Sequence, residues 1–263
     1  MPDPASSELP PVLPRQKALV VGVANEHSIA WGCARALRNA GADVAMTYLN
    51  DKARPYVEPL AQAIGAPILM PLQVQQTAQV DALFERIAAV WGRLDTLIHS
   101  IAFAPKEALD GRVIDCPRDA FVTAMEVSCW SFLDLARRAA PMMRDGGTMI
   151  TMTYLGANEV VEKYGVMGPV KAALESATRY MAAELGPSGI RVHAVSPGPL
   201  ATRAASGIRD FDELMAQVSS RAPVHRLVTI EEVGAACVFL ASSFAQAMTG
   251  ETLYIDGGYH ILA

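Results

Sequence analysis

Nowhere do the 263 residues contain a run approaching the ~18 apolar residues that a membrane-spanning helix needs, so no membrane insertion is expected. The opening residues, MPDPASSELPPVLPRQ, have neither a basic start nor an apolar stretch. That excludes a secretory signal, and residues 1–16 read as a flexible, proline-rich tail ahead of the fold. Cysteine is scarce. Cys33, Cys116, Cys129 and Cys237 make no CxxC pair, and none lies near a histidine at metal-ligand spacing. Four small buried thiols in a reducing compartment are the expectation. The five histidines form no HxH or HExxH, so no metal is expected. There is no run of Lys and Arg, and the net charge is −5, which argues against nucleic acid as a partner. These absences together point to a soluble, cytoplasmic protein.

Apolar residues make up 51% of the chain, enough for a sizeable core. From Lys17 onward, short apolar runs alternate with helical patterns. KALVVG, DVAMTY, APILMPL, LDTLIHS, GTMITMT, GIRVHAVSPGPL and GETLYIDGG read as strands. Between them, SIAWGCARALRNAGA is helical, with Ser28 as its cap and Gly41 as its stop. Residues 53–64 form a second helix. TAQVDALFERIAAVWG is amphipathic, with Val80, Leu83, Phe84 and Ile87 on one side. Residues 118–142 read as a long helical stretch, and further helices fall near 211–220 and over TIEEVGAACVFLAS. Strand and helix in alternation imply the α/β class: a single Rossmann-type domain over residues 17–263, its doubly wound parallel sheet of about seven strands covered by helices on both faces. In such sheets a ligand lies outside the carboxyl ends of the strands, where the winding reverses.

The first strand-to-helix link, GVANEHSIAWG, lacks the GxGxxG of a common dinucleotide site, and one glycine in such a turn is weak evidence. Its position after the first strand is nonetheless where a pyrophosphate would meet backbone N–H groups and a helix N-terminus. After the second strand, Asp51 precedes Lys52 and Arg54, and no cation stands at the strand's own edge, so NADH is favoured over NADPH. Downstream, TMTYLGANEVVEKYGVMGPVKAALE carries Tyr154, Tyr164 and Lys171. Seven helical steps from Tyr164 to Lys171 return to nearly the same face. An ammonium there would favour the phenolate and lower the phenol's pKa. An aromatic and a charge at helical spacing by chance is the alternative.

Taken together, GVANEHSIAWG, HSIAFAP, TYLGA, YGVMGPVKAALE, RYMAAELGPSGIRVHAVSPGPLATRAASGI and TGETLYIDGGY resemble the bacterial NADH-dependent enoyl-acyl-carrier-protein reductases, a divergent branch of the short-chain dehydrogenase/reductase superfamily. The ordinary branch spaces its tyrosine and lysine four apart, but the residue four after Tyr164 is Gly168. The resemblance implies reduction of the 2,3 double bond of a 2-enoyl thioester in fatty-acid biosynthesis. Hydride passes to the β-carbon, and Tyr164 holds the enolate oxygen. Lys171 grips the nicotinamide ribose, and Tyr154 shapes the site. Gly22, Ser28 and Ile29 match the pyrophosphate positions. Gln73 and Val74 match the adenine contact, and Ser100 and Ile101 lie beside the cofactor. Leu200 and Thr202, within the loop 200–204, match contacts to nicotinamide and phosphates. Ala104 matches a substrate-side backbone contact, and Phe103, Met167 and Phe211 match an apolar acyl wall, with plain core packing as the alternative for those three. A homotetramer is implied as well.

Several residues depart from the family pattern. Gln73 stands where an acid is usual, and Leu49 where a glutamine is, so a weaker adenine grip is expected, by ~1 kcal/mol per neutral hydrogen bond. Pro169 either kinks the helix or sits in its tolerated first turn. Asp212 and Glu213 stand beside Arg209, where relatives carry basic residues, and two acids disfavour an acidic carrier protein. The thioester could then ride on coenzyme A. A carbonyl reductase or alcohol dehydrogenase of the same superfamily, and a non-catalytic nucleotide-binding relative, remain as other readings.

Overall fold

The computed structural model describes residues 12–109, 111–200, 202 and 211–262. Seven strands pair in parallel: β1 (Lys17–Val21), β2 (Asp43–Tyr48), β3 (Ile68–Pro71), β4 (Thr96–His99), β5 (Gly147–Met152), β6 (Ile190–Pro197) and β7 (Thr252–Ile255). Their order across the sheet is β3-β2-β1-β4-β5-β6-β7. The helices are α1 (Ile29–Asn39), α2 (Arg54–Ala63), α3 (Thr77–Trp91), the single turn α4 (Lys106–Leu109), α5 (Arg118–Met125), α6 (Ser131–Ala139), α7 (Met167–Leu185), α8 (Phe211–Arg221) and α9 (Ile230–Ala241).

Successive strand residues point to opposite faces, and each face has its own core. In β1, Ala18 and Val20 join the core beneath α1, α2 and α9, while Leu19 and Val21 join the one beneath α3, α6 and α7. That is why the strands read as continuous apolar runs rather than alternating ones. On α3 the buried side chains are Val80, Leu83, Phe84 and Ile87, one stripe at helical spacing, worth roughly 1.5–3 kcal/mol each. The helix stops at Gly92, whose φ of 68° lets its N–H reach the Ile87 and Ala88 carbonyls. At α9, Thr229 and Glu232 form a reciprocal capping box.

Two expectations need correction and one is refined. The fold begins ahead of Lys17: Leu13 is fully buried and its N–H bonds the Ala40 carbonyl at 2.8 Å. An apolar residue with a backbone partner is docked, so residues 12–16 are not a loose tail. The stretch 118–142 is helical throughout, as expected, but not uniformly α. A π-helical turn, Glu126–Trp130, separates α5 from α6, and a 3-10 turn follows at Ala140–Met142. Finally, Cys116 is only partly buried, unlike the other three cysteines.

Candidate active site

The chain runs outward from β1 to β2 and β3, then crosses back to place β4 on the other side of β1. The crevice therefore opens at the carboxyl ends of β1 and β4. Gly22 and Ser100 follow these two ends, and the Ser100 N–H bonds the Val21 carbonyl at 3.1 Å. Gly22 has φ +99°, and a Cβ there would lie 2.1 Å from the Ser100 carbonyl oxygen. Only a glycine lets these backbones approach so closely.

Helix α1 starts at Ile29, seven residues beyond Gly22, with the Trp31 N–H bonded to the Ser28 carbonyl at 3.0 Å, and a helix N-terminus in this link is where an anion is favoured. Ser28 holds the N-cap position, but its hydroxyl makes no cap bond. It donates to the Asn25 carbonyl at 2.6 Å and so shapes the loop instead. A glycine turn that leads into a helix N-terminus suits a dinucleotide pyrophosphate.

Tyr164, Tyr154 and Lys171 gather beyond the end of β5. Helix α7 begins only at Met167, so Tyr164 is not on it, and the helical-face relation to Lys171 does not hold. The chain turns on either side of Tyr164, at Lys163 (φ 62°) and Gly165 (φ 55°). Pro169 falls in the first turn of α7, where no N–H is needed, and no kink results. The Tyr164 ring packs against Gly156, where a Cβ would come within 2.5 Å of it. It meets the Tyr154 ring edge-on, with centroids 5.1 Å apart.

The expected lowering of the phenol's pKa is overturned. Burial pushes Tyr164 well above the usual phenol range, and Tyr154 adds to the shift. Burial likewise raises Tyr154 to about 12. Both rings are neutral donors at physiological pH. The Lys171 ammonium is buried, donates to the Met152 carbonyl at 2.7 Å, and is pulled down to about 8, chiefly by burial. No hydrogen bond joins it to Tyr164 among the described residues.

The sequence reading missed several polar groups here. Ser128, on the π turn, accepts from the Phe103 N–H at 2.9 Å and donates to the Phe103 carbonyl at 2.8 Å. This fixes the loop after β4. His99, at the end of β4, is held by Thr151 Oγ1 and Ser131 Oγ, both at 2.8 Å, and burial drops it to about 3, so it is neutral. Single serines in a helix and a lone strand histidine carry no spacing signal. Only the π turn, which aims Ser128 and Ser131 at neighbouring strand ends, gives them their place.

The remaining expected residues are dispersed around this centre. Ile101, Val74 and Ala104 pack against the core beneath α3, α6 and α7. Gln73 accepts from Gln76 Nε2 at 2.7 Å, and its N–H donates to Gln79 Oε1 at 2.8 Å. Its carbonyl oxygen is already engaged. The Arg54 guanidinium pairs with Glu58 at 2.9 Å, as a helix-face charge. Phe103 is 52% exposed, whereas Met167 is buried within the core. Leu200 and Thr202 are partly buried. The rest of the loop 200–204, Arg209, and the side chains of Phe211 and Asp212 lie outside what is described.

A family model described as enoyl-(acyl carrier protein) reductase matches residues 22–260. A Rhizobium meliloti protein named as an NADH enoyl-acyl-carrier-protein reductase is 45% identical over 245 residues, covering 93% of this chain and 90% of that protein. The Escherichia coli protein of the same name is 41% identical over 249 residues, covering 94% and 95%. Among solved structures, the Anaplasma phagocytophilum reductase in complex with NAD superposes with a TM-score of 0.92 at 41% identity, covering 96% of each chain. The Aquifex aeolicus NADH reductase gives 0.93 at 41%, covering 96% of this chain and 99% of that one.

Proposed function

The chain belongs to the enoyl-(acyl carrier protein) reductase family, and on that premise we infer that it reduces the 2,3 double bond of a 2-enoyl thioester with NADH in fatty-acid biosynthesis. When bound, NADH supplies the hydride, which goes to the β-carbon.

Tyr164 donates its phenolic hydrogen to the thioester carbonyl oxygen and holds the negative charge that develops there. Its burial supports this role, because a neutral phenol in a water-poor site is a stronger hydrogen-bond donor to a forming oxyanion than it would be in water. One such donor is worth roughly 100- to 1,000-fold in rate. Lys171 donates to the nicotinamide ribose hydroxyls, and Tyr154 holds the Tyr164 ring edge-on. Gly22, Ser28 and Ile29 receive the pyrophosphate. Ser100, Ile101, Leu200 and Thr202 line the nicotinamide side, and Gln73 and Val74 meet the adenine. Ala104, Phe103, Met167 and Phe211 contact the acyl thioester.

The substrate is carried on acyl carrier protein, and the enzyme works in the cytoplasm as a homotetramer. Phe121, Val122, Met125, Trp130 and Leu133 line an apolar groove on α5 and α6, a face on which a second copy would pack.

The observation that carries the reading is that a buried, neutral Tyr164, edge-on to Tyr154, and a buried Lys171, bonded to the Met152 carbonyl, both gather beyond the end of β5. The test is NADH oxidation with a crotonyl thioester beside an acetoacetyl thioester. Turnover of the enoyl compound is expected. Turnover of the oxo compound alone would replace this reading with that of a carbonyl reductase.

A further inference from the structure

Glu175 lies one helical turn beyond Lys171 on α7 and is 4% exposed. Its carboxylate accepts from Thr153 Oγ1 at 2.8 Å and from Asn158 Nδ2 at 3.1 Å. Both oxygens thus face donors. The same Asn158 amide reaches the Tyr254 hydroxyl at 3.1 Å on β7, and the Tyr254 ring stacks 4.0 Å from His260, which Asp256 holds at 3.0 Å. The carboxylate is therefore braced from the β5 end and from the C-terminal segment.

A buried charge without a counter-charge is costly. Among the described residues, no carboxylate forms an ion pair with Lys171. The titratable groups acting on it from the packed elements are few. Cys129 faces it from the π turn, and burial keeps that thiol protonated. His99 faces it from β4 and is neutral. Two groups oppose the burial shift, Cys129 first and then Glu175 on its own helix; with the thiol protonated, Glu175 is the carboxylate that acts on Lys171 among the described residues.

We propose that Glu175 is a positioning residue which, from one turn away, keeps the Lys171 amine in the ammonium form that grips the nicotinamide ribose. The proposal rests on the ribose role given to Lys171 above. Burial already draws Lys171 down to about 8, and Glu175 opposes that shift. Without the carboxylate, a large share of Lys171 would be uncharged at neutral pH and would lose donors the ribose needs.

The test is NADH affinity, read from the fluorescence of the bound nicotinamide across the neutral-to-alkaline range, for wild type, Glu175→Gln, Glu175→Asp and Lys171→Met. Wild type should lose affinity on the alkaline side. Glu175→Gln should lose it about one pH unit earlier. Glu175→Asp, which keeps the charge, should retain the wild-type limb, and Lys171→Met should bind weakly with no such limb. A Glu175→Gln variant that weakens binding equally at every pH, or leaves it unchanged, overturns the proposal. If Glu175→Gln does not fold, Glu175→Ala, which also removes the charge, takes its place: a limb moved about one unit earlier supports the charge role, and an unmoved limb refutes it. Lys171→Met binding NADH with the wild-type profile would instead refute the ribose role of Lys171, whatever Glu175 does.

Discussion

Replacing Gly22 with alanine probes the crevice at its tightest point. The new Cβ would start 2.1 Å from the Ser100 carbonyl oxygen, where real contacts stay beyond 3.0 Å, so the β1 and β4 ends must part by at least 0.9 Å. That movement strains the Ser100 N–H bond to Val21, now 3.1 Å long. Losing it costs ~1 kcal/mol, overpacking adds ~1–3 kcal/mol, and an L-residue at positive φ adds ~1–2 kcal/mol. The sum, about 3–6 kcal/mol, is a large part of a typical domain's ~5–15 kcal/mol. At ~2–4 °C per kcal/mol for a domain of this size, Tm should fall by roughly 6–24 °C. Thermal melts with and without NADH measure both consequences. Wild type should melt higher with saturating NADH, and the variant should lose that increment as well as its baseline. An alanine variant melting within ~2 °C of wild type, with the NADH increment intact, would refute the steric argument.

Tyr164→Phe removes no hydrogen bond seen among the described residues, so its melting temperature should match wild type while kcat falls ~100-fold or more; retained turnover would remove the phenol from the chemistry. Ser128→Ala strands the Phe103 N–H and carbonyl, costing ~2 kcal/mol. It should raise KM for the thioester more than it lowers kcat, and an unchanged KM would show that the loop after β4 does not meet substrate. His99 and His193 titrate near 3 and near 4 in the folded chain, both depressed by burial. Unfolded imidazoles take protons near 6.5, so stability is intact above that pH and is lost as pH falls toward 4, by up to ~1.4 kcal/mol per unit for each ring. Urea midpoints should show this slope, and His193→Leu should make it shallower; an equal slope in the variant contradicts the assignment.

The strands were legible because each is a short apolar run, the central ones buried on both faces, and α3 because its stripe repeats at helical spacing. The start of α7 was not. Tyr164 and Lys171 look like partners on one helix until Lys163 and Gly165 take positive φ, and the glycines and proline between them were the available sign. The phenol's pKa was misjudged for a related reason: charge proximity was inferred from spacing, whereas enclosure by apolar neighbours decides it. The docking of Leu13 was hidden because the prolines around it mask a single anchoring contact. Gly22 was found from its place after the first strand, with no help from a fuller glycine motif. Glu175 and Ser128 depend on contacts across the fold that no local pattern encodes.

The π turn between α5 and α6 sets the phase of everything that follows it. Excising one residue from Glu126–Trp130 would restore a regular helix but rotate α6 by about 100°. Ser131 would swing away from His99, and Phe132 would leave the core. The extra residue thus works like a gear tooth, meshing one helix with two adjacent strand ends. Single-residue deletions that a surface loop would absorb should be forbidden here, although nothing in this segment touches a reacting atom.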